Sequence, residues 1–380
     1  MINFDNAATT SVYPECLEIV RKYDSEIYFN PSARYMPAMS VAMDVRRARE
    51  GLAKLLGATK EEIYYTSSGT EADNWAIWGT IRRPDQGFVC SACEHSAVYN
   101  VGKELKSRGF DVSFVACNSD GSVNLDALKA AIKDNTALVS IMHVNNETGA
   151  VNDLKAISAI VKSQNPKALL HSDGVQAFCK IPVNVAKLGV DMYTISGHKI
   201  HAPKGVAALY VKKGTKIHPY IFGGGQENGM RSSTENVAGI LALTQAANTL
   251  FSKISAVKEN NLAIAEKVIH NLSTRYGENF KLNTDLSNWS GSILNVSIRG
   301  IMGEVLLHSL CTEGILISTG SACSTKKGIS RIPRELGLNE AFANGTIRLS
   351  FSDSSTIAEA DEFVEKATKI IDNLLNFRKK

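Results

Sequence analysis

Hydrophobic and polar positions follow two periods along the chain. Between Ser40 and Leu56 the apolar residues Val41, Val45, Ala48, Leu52 and Leu55 recur at helical spacing, and Arg46, Arg47, Arg49 and Glu50 fill the wet side. Gly57 follows as a C-terminal cap. Beyond it, short apolar runs bounded by turn residues trade places with helical stretches. Strands are predicted at 63–66, 88–92, 112–116, 137–143, 168–171, 192–195 and 206–211, with helices at 72–80, 97–105, 125–132 and 157–161. Strands alternating with helices predict an α/β fold with a mainly parallel sheet covered on both faces. After residue 211 the pattern changes to a glycine run at 223–225, a helix ending near 251 and a long helical stretch at 256–276. A smaller set then follows, with strands at 292–298, 315–318 and 347–351, a helix at 304–311 and a closing amphipathic helix at 357–375. A boundary near 252–258 divides a large unit, 12–255, from a small one, 256–380, onto which the arm 1–11 is expected to pack back.

Composition narrows the classes. The 380 residues are 44% apolar, enough for a large core, and 42 basic against 38 acidic side chains leave a net charge of only +4. So small an excess gives no field for nucleic acid or for an anionic membrane. The N-terminus has neither the charged nor the apolar region of a signal peptide, and no stretch has the length and apolarity of a membrane span, so a cytoplasmic location is expected. Seven cysteines without a secreted-scaffold rhythm read as free thiols. Cys90 and Cys93 have CxxC spacing, but no second pair completes a zinc site, and no metal is expected.

The candidate chemistry gathers at strand ends. Lys199 stands just after the apolar run Met192–Ile195 and before the next strand. Burying an ammonium is costly and favours its neutral, nucleophilic form. That is what a lysine forming a Schiff base with pyridoxal phosphate requires, the bland alternative being a surface lysine in a loop. Ser67-Ser68-Gly69-Thr70-Glu71 between a strand and a helix can cradle an anion on backbone N–H groups, or simply cap the helix. Glu94-His95, Asn145-Asn146-Glu147, and Asp173 with Gln176 follow three further strands. In parallel sheets ligands sit beyond the carboxyl ends of the strands, so these side chains suggest one shared site.

Seven segments in order give the chain a resemblance along nearly its whole length. Thr66-Ser-Ser-Gly-Thr-Glu71, Cys93-Glu-His-Ser96, His143-Val-Asn-Asn-Glu147, His171-Ser-Asp-Gly-Val-Gln176, Ser196-Gly-His-Lys199, Gly229-Met-Arg-Ser232 and Ser318-Thr-Gly-Ser-Ala-Cys-Ser324 resemble the NifS/IscS group of cysteine desulfurases, with the class V aminotransferase fold. The resemblance implies an aspartate aminotransferase-like, pyridoxal phosphate-dependent fold: a large domain around a mainly parallel seven-stranded sheet and a smaller α/β C-terminal domain. It implies that Lys199 holds the cofactor and moves the substrate's α-proton, Asp173 pairs with the pyridinium nitrogen, and Gln176 bonds the phenolic oxygen with Asn146 on the same edge. His95 would stack on the ring and shuttle a proton. Gly69, Thr70, Ser196 and His198 would hold the phosphate, and Thr234 would reach the phosphate of a neighbouring subunit in a homodimer. Arg348 would grip the carboxylate of L-cysteine as a bidentate fork. We read its apolar flanks as leaving little else to repay burying that charge.

Cys323 would attack the substrate sulfur, leaving alanine and a persulfide. Its neighbours Gly320, Ser321, Ala322, Ser324 and Thr325 are small, and Lys326, Lys327 and Arg331 favour thiolate. This loop looks like the longer NifS/IscS type, suited to carry sulfur to acceptor proteins such as an iron–sulfur scaffold or a tRNA thiolation enzyme. Lys326 and Lys327 would also attract acidic acceptor surfaces. Departures from the family pattern fall at Ala33–Pro37, Ala202, Gln226 and Ser233 and leave the cofactor set intact. A selenocysteine lyase or another class V transaminase is the alternative within the fold, and a non-catalytic scaffold the alternative outside it.

Overall fold

The computed structural model describes residues 1–319 and 331–377. Its centre is a seven-stranded sheet built from β2 (Ile63–Thr66), β3 (Gly87–Ser91), β4 (Val112–Val115), β5 (Thr136–Ser140), β6 (Leu169–Asp173), β7 (Met192–Ser196) and β8 (Ala207–Val211). The strand order is β2-β8-β7-β6-β5-β3-β4. β8 pairs antiparallel with both neighbours and the remaining pairs are parallel. β2 therefore runs the same way as β7, and every strand but β8 presents its C-terminal end at one edge.

Both faces of the sheet are dry, which is why its strands read as continuous apolar runs. Side chains alternate across it. Val89, Tyr193 and Ile195 pack with Leu52 and Leu56 of α2 (Met36–Leu56) and Ile240 and Leu243 of α8 (Val237–Phe251). Phe88, Leu138, Met192 and Leu209 pack on the other face with Trp75 and Ile77 of α3 (Gly69–Thr80) and Val98 and Leu105 of α4 (Ser96–Ser107). Of the shorter helices, α1 (Pro14–Arg21) lies against α8, α5 (Leu125–Ala131) and α6 (Leu154–Gln164) follow β4 and β5, and α7 (Val185–Leu188) precedes β7.

Helix limits follow their caps. α2 starts four residues ahead of the pattern because Pro37, with φ already fixed, fits the first turn. It stops at Gly57, whose φ of 71° is left-handed and whose N–H closes on the carbonyls of Ala53 and Lys54. α3 starts at Gly69 and not at residue 72, because the Ser68 hydroxyl accepts from the Glu71 N–H at 3.1 Å.

A separate core joins the N-terminal arm to the C-terminal third. β1 (Ile2–Asn3) pairs parallel with β11 (Ile315–Leu316), in register Ile2↔Ile315. β10 (Ile293–Ile298) lies antiparallel between β9 (Phe280–Leu282) and β12 (Thr346–Ser350). Ile2 and Phe4 are buried there with Ile264 and Val268 of α9 (Ile254–Tyr276), Leu306 and Leu310 of α10 (Gly303–Thr312), and Phe363 and Ile371 of α13 (Ile357–Phe377). The short α11 (Arg331–Glu335) and α12 (Glu340–Ala343) precede β12. No helix among the described residues is long and apolar enough to cross a membrane.

Candidate active site

The C-terminal ends of β2, β3, β5, β6 and β7 surround a cavity of about 340 Å³. This size lies in the range of small-molecule sites, roughly 300–1,000 Å³. It is lined by Gly69, Thr70, His95, Asn146, Asp173, Gln176, Ser196, His198, Lys199 and Arg348. His95, Asn146, Asp173, Gln176, Lys199, Arg348 and the phosphate-binding candidates therefore meet here, whereas Glu94, Asn145 and Glu147, grouped with them from the sequence, do not line the cavity, and Glu94 and Asn145 are instead spent on the backbone N–H groups of Met142 and Glu147. Thr234 lines a different pocket of about 170 Å³, beside Ser67, Arg231 and Glu235. Cys323, Lys326 and Lys327 lie outside the described residues.

Lys199 ends a single 3₁₀ turn, Gly197–Lys199, that interrupts the chain between β7 and β8. Its Nζ donates to the carbonyls of Ala7 at 2.6 Å and Ala8 at 2.7 Å, so the N-terminal arm passes directly over the amine. Burial, and then the charge of Arg348, lowers its pKa to about 8. At pH 7 about a tenth of such amines are neutral, against about one in three thousand at the ordinary value.

Asp173 closes β6, and its Oδ1 accepts from the Val175 N–H at 2.9 Å. Burial raises its pKa, while His95 and Lys199 pull the other way. Behind it stands Asp73 of α3, raised well above the carboxylate range by burial and then by the charge of Asp173. The facing donor atoms of Asp73, His95 and Asp173 all lie within 4.8 Å of one another. His171 meets Asp73 at 3.5 Å, and burial lowers its pKa to about 3, so it stands neutral. We read the carboxyl pair as Asp73 protonated and Asp173 charged. A buried carboxylate there can pair with a cation or an N–H⁺ donor.

His95 is exposed and lines the cavity, and desolvation lowers its pKa. His198 is held by Thr9 Oγ1 at 3.2 Å, with its pKa brought down to about 4 by burial and then by Lys199. It is a neutral imidazole that shares the cavity with the α3 N-terminus. The N–H groups of Gly69 and Thr70 there have no intrahelical partner. A Cβ on Gly69 would lie 2.9 Å from Val175 Cγ2 and 3.5 Å from Ser196 Cβ, so the cradle closes only around glycine.

Arg348 of β12 is buried, with Nη1 on the Asn146 carbonyl at 2.8 Å and Nη2 on Asp5 Oδ1 at 2.9 Å. Its Nε is buried without a partner. The charge is thus partnered by Asp5 of the arm, which corrects the reading that little besides a substrate carboxylate would repay burying it. Arg331, expected beside the cysteine loop, donates to the carbonyls of Ala92 and Glu94 and lies 3.8 Å from the Tyr99 ring centre. It anchors the chain where the described residues resume. Cys90 and Cys93 are both buried free thiols.

These residues fit pyridoxal phosphate. An amine of lowered pKa, a buried carboxylate for the ring nitrogen, an amide at the ring's edge and a helix N-terminus with two hydroxyls and an imidazole for the phosphate share one cavity. Sequence reasoning missed Asp5, Ala7 and Ala8, which reach the site only through pairing with residues more than 190 positions away. It also passed over Asp73, one turn into a helix whose start was set too late.

Residues 2–363 match the family model described as aminotransferase class-V. A protein of Nostoc sp. named cysteine desulfurase is 39% identical over 377 residues, covering 98% of this chain and 94% of its own length. A solved structure titled NIFS-like protein superposes with a TM-score of 0.92 at 34% identity, covering 98% of this chain and 99% of that one. Another, titled SspA in complex with cysteine, superposes with a TM-score of 0.81 at 31% identity over 92% of this chain and 99% of that one. With its matched span, its sheet and its lysine-centred cavity, this chain belongs to the class V aminotransferase family.

Proposed function

We propose that the chain is a pyridoxal phosphate-dependent cysteine desulfurase, taking L-cysteine to L-alanine and passing the sulfur on through Cys323. The observation that carries it is one cavity holding Lys199, Asp173, Gln176 and Arg348, in a chain similar to proteins named for that activity. When bound, the cofactor supplies an electron sink for bonds broken at the substrate's α-carbon. Lys199 holds it through Nζ and is the base at the α-carbon, a task suited to an amine of pKa about 8. Asp173 keeps the ring nitrogen charged, and His95 moves a proton at the ring face. Gly69, Thr70, Ser196 and His198 hold the phosphate. Cys323 attacks the substrate sulfur: its S–S bond forms as the C–S bond breaks, and sulfur stays on the protein as a persulfide while the carbon skeleton leaves as alanine.

The division into units 12–255 and 1–11 with 256–380 goes with this reading, supported by the packing of Ile2 and Phe4 with residues 264–371. So does a homodimer in which Thr234, away from its own chain's cavity, serves the neighbour's phosphate. The acceptor is a protein with an acidic face toward Lys326 and Lys327, an iron–sulfur scaffold or a tRNA thiolation enzyme. The test is product analysis: purified protein loaded with pyridoxal phosphate should form alanine from L-cysteine, with equal sulfide once a thiol reductant is added. Colourless protein that forms neither would point to the scaffold, and amino-group exchange without sulfide to a transaminase.

Arg348→Ala is expected to raise KM for L-cysteine about 100-fold, the loss of two charge-assisted bonds at about 3 kcal/mol together. The cofactor's absorption should persist. A KM within threefold of wild type would place the substrate carboxylate elsewhere.

A further inference from the structure

We propose that Lys180, which does not line the cofactor cavity, is a positioning residue that locks the Gln176 side-chain amide so that its NH₂ group faces the cofactor. The inference rests on the pyridoxal phosphate reading above. Lys180 Nζ donates to Gln176 Oε1 at 2.6 Å, and Gln176 Nε2 donates to the Ala7 carbonyl at 2.9 Å. A lysine ammonium offers only donors and a backbone carbonyl only acceptors, so the amide fits between them one way round. One N–H is used by Ala7, and the second is left for the cavity that Gln176 lines. A phenolic oxygen at that edge then meets a donor. Without Lys180 the amide can turn, and its own carbonyl would oppose that oxygen.

The backbone is built for this contact. Residues 175–180 form consecutive turns after β6, and Cys179 holds a φ of 59°, left-handed for a residue with a side chain. That conformation, disfavoured outside glycine, turns Lys180 back over the side chain four positions before it. On its far side Lys180 lines a separate chamber of about 30 Å³ with Lys199, Asn6, Thr10 and Asp353. Burial, then the charges of Lys199 and Arg348, lowers its pKa to about 7. Below that pH Lys180 is an ammonium with donors only, the form that fixes the amide. The sequence carries a faint signal of it, a lysine between Cys179 and Ile181 in an otherwise apolar run.

The test is a double-mutant cycle on the holoprotein: wild type, K180M, Q176L and K180M/Q176L. Two readouts are the Kd for pyridoxal phosphate and the pH at which the bound cofactor's visible absorption changes. K180M should weaken binding about tenfold. It should also raise the spectral midpoint by about one pH unit, since a phenolate that loses a donor holds a neighbouring proton more tightly. In the Q176L background K180M should change neither. Lys199, Arg348 and Asp353 also bear on that midpoint, but their effect does not pass through Gln176, so a K180M shift of equal size in both backgrounds would overturn the inference. K180M identical to wild type would overturn it as well. Wild type that takes up no pyridoxal phosphate would instead overturn the function and the inference together. Should K180M not fold, a crystal structure of wild type with cofactor decides. Lys180 Nζ on Gln176 Oε1, with Nε2 toward the phenolic oxygen, supports the lock, and Lys180 turned to another partner refutes it.

Discussion

Lys199→Ala is expected to abolish the visible band of protein-linked pyridoxal phosphate and to slow turnover of L-cysteine by about 10³-fold or more. Two losses combine. The first is the covalent tether: in the wild type the amine stands at the end of β7 with a pKa brought to about 8, first by burial and then by Arg348. The second is the base at the α-carbon, which by itself is worth roughly 10²–10⁴ in rate. Folding should survive, because the Nζ contacts are to two carbonyls of the arm, and Asn6 Nδ2 still holds that arm to the Ser350 carbonyl at 3.1 Å. The check is kcat together with absorption spectra of the variant, before and after adding free methylamine. Turnover within tenfold of wild type would remove Lys199 from the centre of the site. A partial return with methylamine would place the missing function at the amine itself.

How far the sequence disclosed this arrangement depended on distance along the chain. The strands of the main sheet were legible because each is buried on both faces, so residues such as Met192 and Tyr193 are apolar on either side of the pleat. Since β3, β5, β6 and β7 run parallel and β2 runs with them, polar residues after each had to collect at one edge. Helix starts were less legible. The first apolar-periodic residue is not the first helical one: with Pro37 in its first turn α2 starts four residues ahead of the pattern, and with Ser68 as its cap α3 starts three ahead. β1 and α1 gave no usable signal. Two residues at Ile2–Asn3 become a strand only through pairing with Ile315–Leu316, more than 300 positions on. Asp5 reached Arg348 by the same route, which is why the partner of that buried charge could not be read from its apolar flanks. The amine, Asp173 and the cradle were thus visible in short segments, whereas Asp73 and the arm that covers them were visible only in the fold.

Cys323→Ala is expected to lower sulfide release from L-cysteine by about 10³-fold or more while leaving the bound cofactor's spectrum and its change on adding L-cysteine intact. The argument is chemical. L-Cysteine and a thiol become L-alanine and a persulfide with every atom accounted for, so the reaction needs a nucleophile that accepts the sulfur as the C–S bond breaks. Lys199, Asp173 and His95 are amine, carboxylate and imidazole, and none of them can store sulfur in that form. The buried thiols Cys16, Cys90, Cys93 and Cys179 are raised by desolvation or a neighbouring group, and none of the cysteines among the described residues, Cys117 and Cys311 included, lines the cavity. In the sequence Cys323 is followed by Lys326 and Lys327, and cations near a thiol favour thiolate. Intact-protein mass spectrometry after L-cysteine should show one added sulfur atom on wild type, mapped to the Cys323 peptide, and none on the variant. A transaminase would lose nothing with this residue. Normal sulfide release by Cys323→Ala, or an added sulfur found on another cysteine, would move the sulfur-accepting step away from this loop.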